Sequence, residues 1–286
     1  TVILYDIQTS PPTIQHQLQD HKSYVMCVVF HPNQPLLATS SRDSTAIIYN
    51  MTTSPPTKQH NLRHHTNAVN FIAFHSSFPF FATCSDDQTA ILYDLTTTPA
   101  TIQHHFKNHK SCVLSVALHP YLLVLATASW DRSVILYDIS VLPPVMKHHL
   151  KHHTASVRCV IFHPSLPFLA TGSQDCSTLL YDISALSSSS TLTTPPLTVT
   201  YRLKHHLSIV HSITYHDTLQ LMGTGSGDHT VIVYDLATSP PSIQHHLNDH
   251  TDWVMSVAFH PSLPFLSSGS NNYQIMLYNL DNCFTK

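Results

Sequence analysis

Residues His153–Asp182 read HTASVRCVIFHPSLPFLATGSQDCSTLLYD. A histidine opens the stretch and an alternating run ends at His163-Pro164. Leu169-Ala170-Thr171-Gly172-Ser173-Gln174-Asp175 follows, and a last apolar run closes on Tyr181-Asp182. The same frame recurs along the whole chain. Tyr5, Tyr49, Tyr93, Tyr137, Tyr181, Tyr234 and Tyr278 each close a β-branched or aliphatic run. Each is followed by Asp or Asn and then by Ile, Leu or Met, at spacings of 44, 44, 44, 44, 53 and 44 residues. Such a period marks a repeat architecture and is read before anything else.

Other columns keep the step. His21, His65, His109, His153, His206 and His250 form one; Asp43, Asp87, Asp131, Asp175, Asp228 and Asn272 form another. Thr39, Thr83, Thr127, Thr171, Thr224 and Ser268 form a third, and His31, His75, His119, His163, His216 and His260 a fourth, usually followed by Pro. Within the unit near His109, four short strands are expected: 113–118, 124–128, 134–137 and 145–150. They are separated by His119-Pro120, Ser129-Trp130-Asp131 and Pro143-Pro144. Alternating runs bounded by turn residues at this spacing predict an all-β fold. A unit of this size cannot bury both faces of its sheet alone, so units must stack.

The frame of His, alternating strand, Leu-Ala-Thr-Gly-Ser-x-Asp and Tyr-Asp resembles the WD40 repeat. That resemblance implies a seven-bladed β-propeller, built as a single domain over 1–286. Residues 1–18 end a first repeat; 19–62, 63–106, 107–150, 151–203 and 204–247 are full units; 248–286 make the last blade. Counting strands on this scheme leaves three absent. The expectation is therefore a longer chain, with about 38 further residues upstream of Thr1 on the repeat-length argument. Two departures stand out. The family's Trp of Trp-Asp is Tyr throughout, and the Gly of its Gly-His pair is replaced by Asp20, His64, Asn108, His152, His205 and Asp249.

The resemblance implies that the His, Thr/Ser, Asp and Tyr columns form a buried hydrogen-bond chain within each blade. Its members are His21, His65, His109, His153, His206 and His250; Asp43, Asp87, Asp131, Asp175 and Asp228; and Tyr49, Tyr93, Tyr137, Tyr181, Tyr234 and Tyr278. A hydrolase triad occurs once, whereas this constellation recurs, so no catalytic residue and no enzyme is expected. Gly223–Asp228 looks like a phosphate loop but belongs to the Ala-Thr-Gly-Ser column and precedes no helix, so no cofactor is expected. His148-His149-Leu150-Lys151-His152-His153 invites a metal reading, yet 23 of the 25 histidines fall in repeat columns or beside them. No metal site is assigned. The His-Pro column implies a ring of imidazoles at the first turn, expected to charge near pH 6.

Composition narrows the partners. Lys+Arg is 13, Asp+Glu 16 and the net charge −3, which leaves no electrostatic footprint for nucleic acid. No apolar run approaches the ~20 residues of a membrane helix. Six cysteines without a C-x-x-C pair give no zinc or redox motif and point to a reducing, cytoplasmic setting. The nine-residue insertion within 185–196 is Ser/Thr-rich and reads as a loop for phosphorylation or partner docking.

The variable positions remain. The third residue after the column histidine and the residue before the column aspartate lie, by the resemblance, on the peptide-binding face. Both tryptophans fall there. Tyr24, Arg42, Trp130, Arg132 and Trp253 are the expected binding rim, since Trp, Tyr and Arg anchor interfaces. The expected function is a non-catalytic scaffold or adaptor that presents its faces to proteins or peptides. A structural subunit buried in a large assembly is the alternative, because only 10% of residues are charged. A ubiquitin-ligase substrate receptor is disfavoured because Tyr-Asp is never followed by x-Arg.

Overall fold

A computed structural model describes residues 1–6, 11–187 and 196–281. Two compact units are present, Thr1–Tyr121 and Leu122–Lys286. In the first, β1 (Val2–Asp6) and β2 (Thr13–Leu18) form a two-stranded sheet. Two four-stranded sheets follow. One is β3 (Val25–Phe30), β4 (Leu36–Ser41), β5 (Ala46–Asn50) and β6 (Thr57–Leu62). The other is β7 (Val69–Phe74), β8 (Phe80–Ser85), β9 (Ala90–Asp94) and β10 (Thr101–Phe106). The strand β11 (Val113–Leu118) lies against β7 and β8.

The second unit opens with β12 (Val124–Ser129), β13 (Val134–Asp138) and β14 (Val145–Leu150). Next come β15 (Val157–Phe162), β16 (Phe168–Ser173), β17 (Thr178–Asp182) and β18 (Val199–Leu203), then β19 (Val210–His216), β20 (Leu221–Ser226), β21 (Val231–Asp235) and β22 (Ser242–Leu247). A three-stranded sheet of β23 (Val254–Phe259), β24 (Phe265–Ser270) and β25 (Ile275–Asn279) closes the described chain. Sequential strands pair antiparallel, as short turns require. Part of the Ser/Thr-rich insertion, 188–195, lies outside the described residues.

The expectation of seven blades is corrected to six. Six repeats carry a first strand, beginning at β3, β7, β11, β15, β19 and β23. The pair β1–β2 has only third- and fourth-strand equivalents and is no blade of its own. Its Tyr5 is exposed, whereas Tyr49, Tyr93, Tyr137, Tyr181 and Tyr234 are buried. Two strands expose too much of both faces to make an independent layer.

Position in the sheet explains each strand's sequence. In the four-stranded sheets second and third strands are covered on both faces, so they read as continuous apolar or small-residue runs, such as Leu36–Ser41 and Ala46–Tyr49. Fourth strands lie at the edge and alternate; in β6 only His60 and Leu62 are buried. One residue bulges out of each third-to-fourth ladder. In β6, Tyr49 faces Lys58 and Ile48 faces His60, leaving Gln59 unpaired. Such bulges sharpen strand twist. Adjacent sheets then bury their faces together. Ala38, Ile48 and Leu62 of one sheet pack with Val69, Ile72 and Phe81 of the next. Each fully buried aliphatic side chain contributes about 1.5–3 kcal/mol.

Two glycines at the same sheet position test this packing. A Cβ on Gly172 would lie 2.6 Å from Cys159 Sγ and 2.8 Å from Val210 Cγ1, while one on Gly269 meets nothing within 4 Å. Gly172→Ala is expected to lower stability by about 1–3 kcal/mol through overpacking. Gly269→Ala is expected to leave it unchanged or raise it by about 0.5 kcal/mol. Urea midpoints of the two variants measure the contrast; equal midpoints contradict the packing account.

Candidate functional site

The loop between second and third strands is built on its aspartate. Asp87 Oδ1 accepts from the Thr89 amide at 3.0 Å and hydroxyl at 2.6 Å, and the Asp87 amide donates to Ser85 Oγ at 3.1 Å. The following residue is left-handed in every repeat: Ser44, Gln88, Arg132, Cys176, His229 and Tyr273 have φ between 64° and 73°. Residues with a Cβ pay for that conformation, and the aspartate's bonds on either side hold it.

Asp87 Oδ2 reaches back to the first strand. It accepts from the Thr66 amide at 3.0 Å and from His65 Nδ1 at 2.8 Å, and the Thr83 hydroxyl meets His65 Nε2 at 2.7 Å. The same links join His21 to Asp43 (3.1 Å) and Thr39 (2.7 Å), His153 to Asp175 (2.8 Å) and Thr171 (2.8 Å), and His206 to Asp228 (2.9 Å) and Thr224 (2.8 Å). Burial acts to raise the Asp43 carboxyl, but the bonds from Thr45, the Lys22 amide and His21 outweigh it and hold it at about 2. Asp87, Asp175 and Asp228 are lowered in the same way. His109 and Tyr137 are buried at the matching places, and Asp131 takes the Ser133 hydroxyl at 2.6 Å.

The two departures from the family pattern are one feature. The Tyr49 hydroxyl donates to Asp20 Oδ2 at 3.0 Å; those of Tyr93, Tyr181 and Tyr234 bond Nδ1 of His64 (3.2 Å), His152 (3.4 Å) and His205 (3.2 Å). Each partner stands where the family has Gly. Burial pushes these phenols up, so they stay neutral donors. The His64 and Tyr93 rings also sit 5.6 Å apart. A polar residue beside the column histidine thus accepts the proton that the tyrosine brings into the interior, satisfying a group that burial would otherwise strand.

The last sheet breaks the chain. His250 Nε2 bonds Ser268 Oγ at 2.6 Å, but its Nδ1 is buried without a partner. Asn272, which stands in the aspartate column, gives it no acceptor. Instead its amide donates to Thr251 Oγ1 at 2.8 Å and its Oδ1 accepts from the Gln274 amide at 3.1 Å. Without a carboxylate, Asn272 serves its own turn and the histidine loses its anchor. Tyr278 also has a buried hydroxyl without a partner.

The His-Pro column is corrected as well. Four of these imidazoles, His31, His75, His163 and His216, are buried and do not form a surface ring. His75, His163 and His216 are buried, and their Nδ1 atoms accept from the amides of the turn: Ser77 and Phe78 on His75, Ser165 and Leu166 on His163, Leu219 on His216. A protonated ring has no acceptor nitrogen. Burial lowers His119 and His163 to about 4.

At the aspartate end the two variable columns meet. The Arg42 amide donates to Tyr24 O at 2.9 Å, Asp86 to Ala68 at 3.0 Å, Gln174 to Ser156 at 2.9 Å, Gly227 to Ile209 at 2.8 Å and Asn271 to Trp253 at 2.9 Å. In the first unit Tyr24 is 74% exposed and the Arg42 guanidinium sits 5.8 Å from its ring centroid. In the second, Trp130 is 51% and Trp253 46% exposed, and Arg132 shares the Trp130 hairpin. One rim residue escaped the sequence reading. The His211 ring lies 5.7 Å from that of Trp253, and its buried Nε2 has no partner. Its signal was standing outside every histidine column. Among the described residues no group of three or more metal-capable side chains converges. Among the described residues Cys27, Cys84, Cys112, Cys159 and Cys176 form no disulfide.

The sequence model of the WD domain, G-beta repeat, matches residues 12–50, 56–94, 100–138, 145–182, 197–235 and 241–279. Each match runs from a fourth strand to the next third strand, and together they span most of the chain. The protein belongs to the WD40 family, an all-β β-propeller class whose members generally serve as protein-interaction scaffolds. No curated protein matches the chain.

Two predictions follow from the buried groups. Asp87→Ala leaves His65 buried without its anion and is expected to cost about 3–5 kcal/mol, whereas Asn272→Asp, supplying an acceptor to His250, is expected to raise stability. Chemical denaturation of both variants reads the signs; a stabilising Asp87→Ala contradicts the network. The second concerns pH. His163 has a folded-state pKa of about 4 against an ordinary 6.5, so the unfolded chain binds its proton first. Stability is full above about pH 6.5 and falls as pH drops towards 4, by about 2 kcal/mol at pH 5 for this fully buried ring. The lowered aspartates add a further loss below about pH 4. Urea midpoints between pH 7.5 and 4.5 are expected to fall steadily; a flat profile contradicts the assignment.

Proposed function

We propose that the protein is a non-catalytic interaction scaffold whose partner proteins or peptides engage the aspartate-end loops. Tyr24 and Arg42 form the contact group of the first unit; Trp130, Arg132 and Trp253 form that of the second. The observation that carries this reading is the exposure of both tryptophans of the chain at this end: Trp130 on the hairpin held by Asp131 and Trp253 on the loop that leads into β23. A large aromatic surface on a rigid support loses little entropy on binding. The polar machinery beneath positions these loops.

A second reading, a structural subunit within an assembly, is favoured by exposed apolar side chains such as Leu142 and Leu207 on a surface poor in charge. Under that reading the purified chain associates or needs a partner for solubility.

Trp130→Ala/Trp253→Ala tests the first reading. Affinity capture followed by mass spectrometry is expected to lose a defined set of bound proteins, each hot-spot truncation costing about 2 kcal/mol of binding or more. Thermal stability is expected to stay unchanged because both side chains are half exposed. Retention of every partner by the double variant contradicts the loop-end site.

A further inference from the structure

A bulge in the ladder between first and second strands re-aims one side chain. In β7 that residue is Asn70, left out between the pairs Val69–Ser85 and Phe71–Cys84. Its Nδ2 donates to Asp86 Oδ1 at 2.7 Å and to Val113 O at 3.0 Å. In β19 the bulged residue is His211, between Val210–Ser226 and Ser212–Gly225. The place of Asp86 is taken there by Gly227, which has no side chain to offer. His211 Nε2 is accordingly buried without a partner. A Cβ on Gly227 would lie 3.5 Å from that nitrogen and 3.0 Å from Ser208 Oγ. The carboxyl group that Asp86 brings to Asn70 thus has its counterpart position at His211, and the chain does not supply it. The two neighbouring carboxylates are engaged elsewhere. Asp228 holds His206 and Thr230, and Asp252 accepts from the Trp253 amide and from Asn271 Nδ2.

We propose that His211 and Arg158 bind a carboxylate from a partner polypeptide, an Asp or Glu side chain placed as Asp86 is in its own repeat. This assignment rests on the loop-end reading and adds the chemistry of the bound group. Burial, with the Arg158 charge nearby, lowers His211 to about 4. The ring is therefore neutral at pH 7, with one nitrogen free to donate a proton and the other to accept. Arg158 supplies the positive charge, and a bond between ionised groups is about twice as strong as a neutral one. A main-chain carbonyl satisfies Nε2 but gains less from Arg158, and a lysine is repelled by it. The Trp253 indole lies 5.7 Å from the imidazole, and Nε2 is shut from water. The carboxylate enters as the indole turns outward onto the partner, so the aromatic anchor and the ion site act together.

Acetyl-Ala-Glu-Ala-amide is the probe, compared with its Gln and Lys counterparts and with inorganic phosphate. Trp130→Phe leaves Trp253 the only tryptophan of the intact chain. Its fluorescence is expected to respond saturably to the Glu peptide, at least about tenfold more tightly than to the Gln peptide. Gly227→Asp supplies the carboxyl group from within the chain and is expected to abolish the response while raising the urea midpoint. His211→Phe keeps a ring beside Trp253 but no nitrogen, and is expected to abolish the response as well. Absence of a saturable response, equal affinity for the Gln or Lys peptide, or an undiminished response in either variant overturns the proposal. Tighter binding of phosphate than of the Glu peptide also overturns it, because the site then selects a phosphoryl group. Partners lost on Trp130→Ala/Trp253→Ala with no preference for Glu refute the carboxylate site alone, whereas partners retained by that double variant refute the loop-end reading.

Discussion

A histidine held between a carboxylate and a hydroxyl ties the first strand of a sheet to the hairpin joining its second and third. His65 spans Asp87 and Thr83, and the same geometry returns at His21, His153 and His206. The left-handed residue after each aspartate is held by the bonds the carboxylate makes to the next residue but one. Remove the carboxylate and the hairpin loses its hook, the histidine its anchor and the first strand its tether. The last sheet shows the consequence: Asn272 turns to its own loop and His250 Nδ1 is stranded. Buried polar chains of this kind specify one geometry only when every member is satisfied.

The tyrosine substitutions extend the same constraint. In the four-stranded sheets the tyrosine of the tryptophan column is fully buried and brings a hydroxyl that needs an acceptor. Glycine beside the column histidine has none to offer, whereas Asp20, His64, His152 and His205 do. The histidine-rich sequence is thus in part the counterpart of its tyrosines. Repetition multiplied one local solution, and the composition follows from that.

The repeat was legible because the residues that make it are buried and polar, and such residues have few substitutes. His153, Thr171, Asp175 and Tyr181 fix the register of their unit and, through the 44-residue step, of the chain. Strand limits followed from turn residues such as His163-Pro164. Blade number was less legible, because Tyr5 matches the column while its surroundings lack the strands that make a blade. The histidine turns misled for a related reason. The sequence places His163 beside Pro164 in a turn, and turns are ordinarily exposed, but hydrogen bonds from the Ser165 and Leu166 amides bury the ring. His211 escaped because its relation to Trp253 crosses from one sheet to the next, and spacing within a repeat carries no such information.

Low charge and abundant histidine can now be set against each other. An average surface relies on Lys, Glu, Arg and Asp for solubility. Here many imidazoles are interior acceptors: burial lowers His31, His60, His148 and His163, among others. These rings contribute no charge at neutral pH, so the histidine count does not offset the scarcity of Lys and Arg. The exposed apolar groups, Tyr24, Trp130 and Trp253, therefore stand on a weakly charged surface with little electrostatic repulsion to keep another polypeptide away. Desolvating such a surface costs little, because few ions must be stripped of water before contact. The constraint that fills the interior with neutral imidazole thereby leaves the outside suited to association.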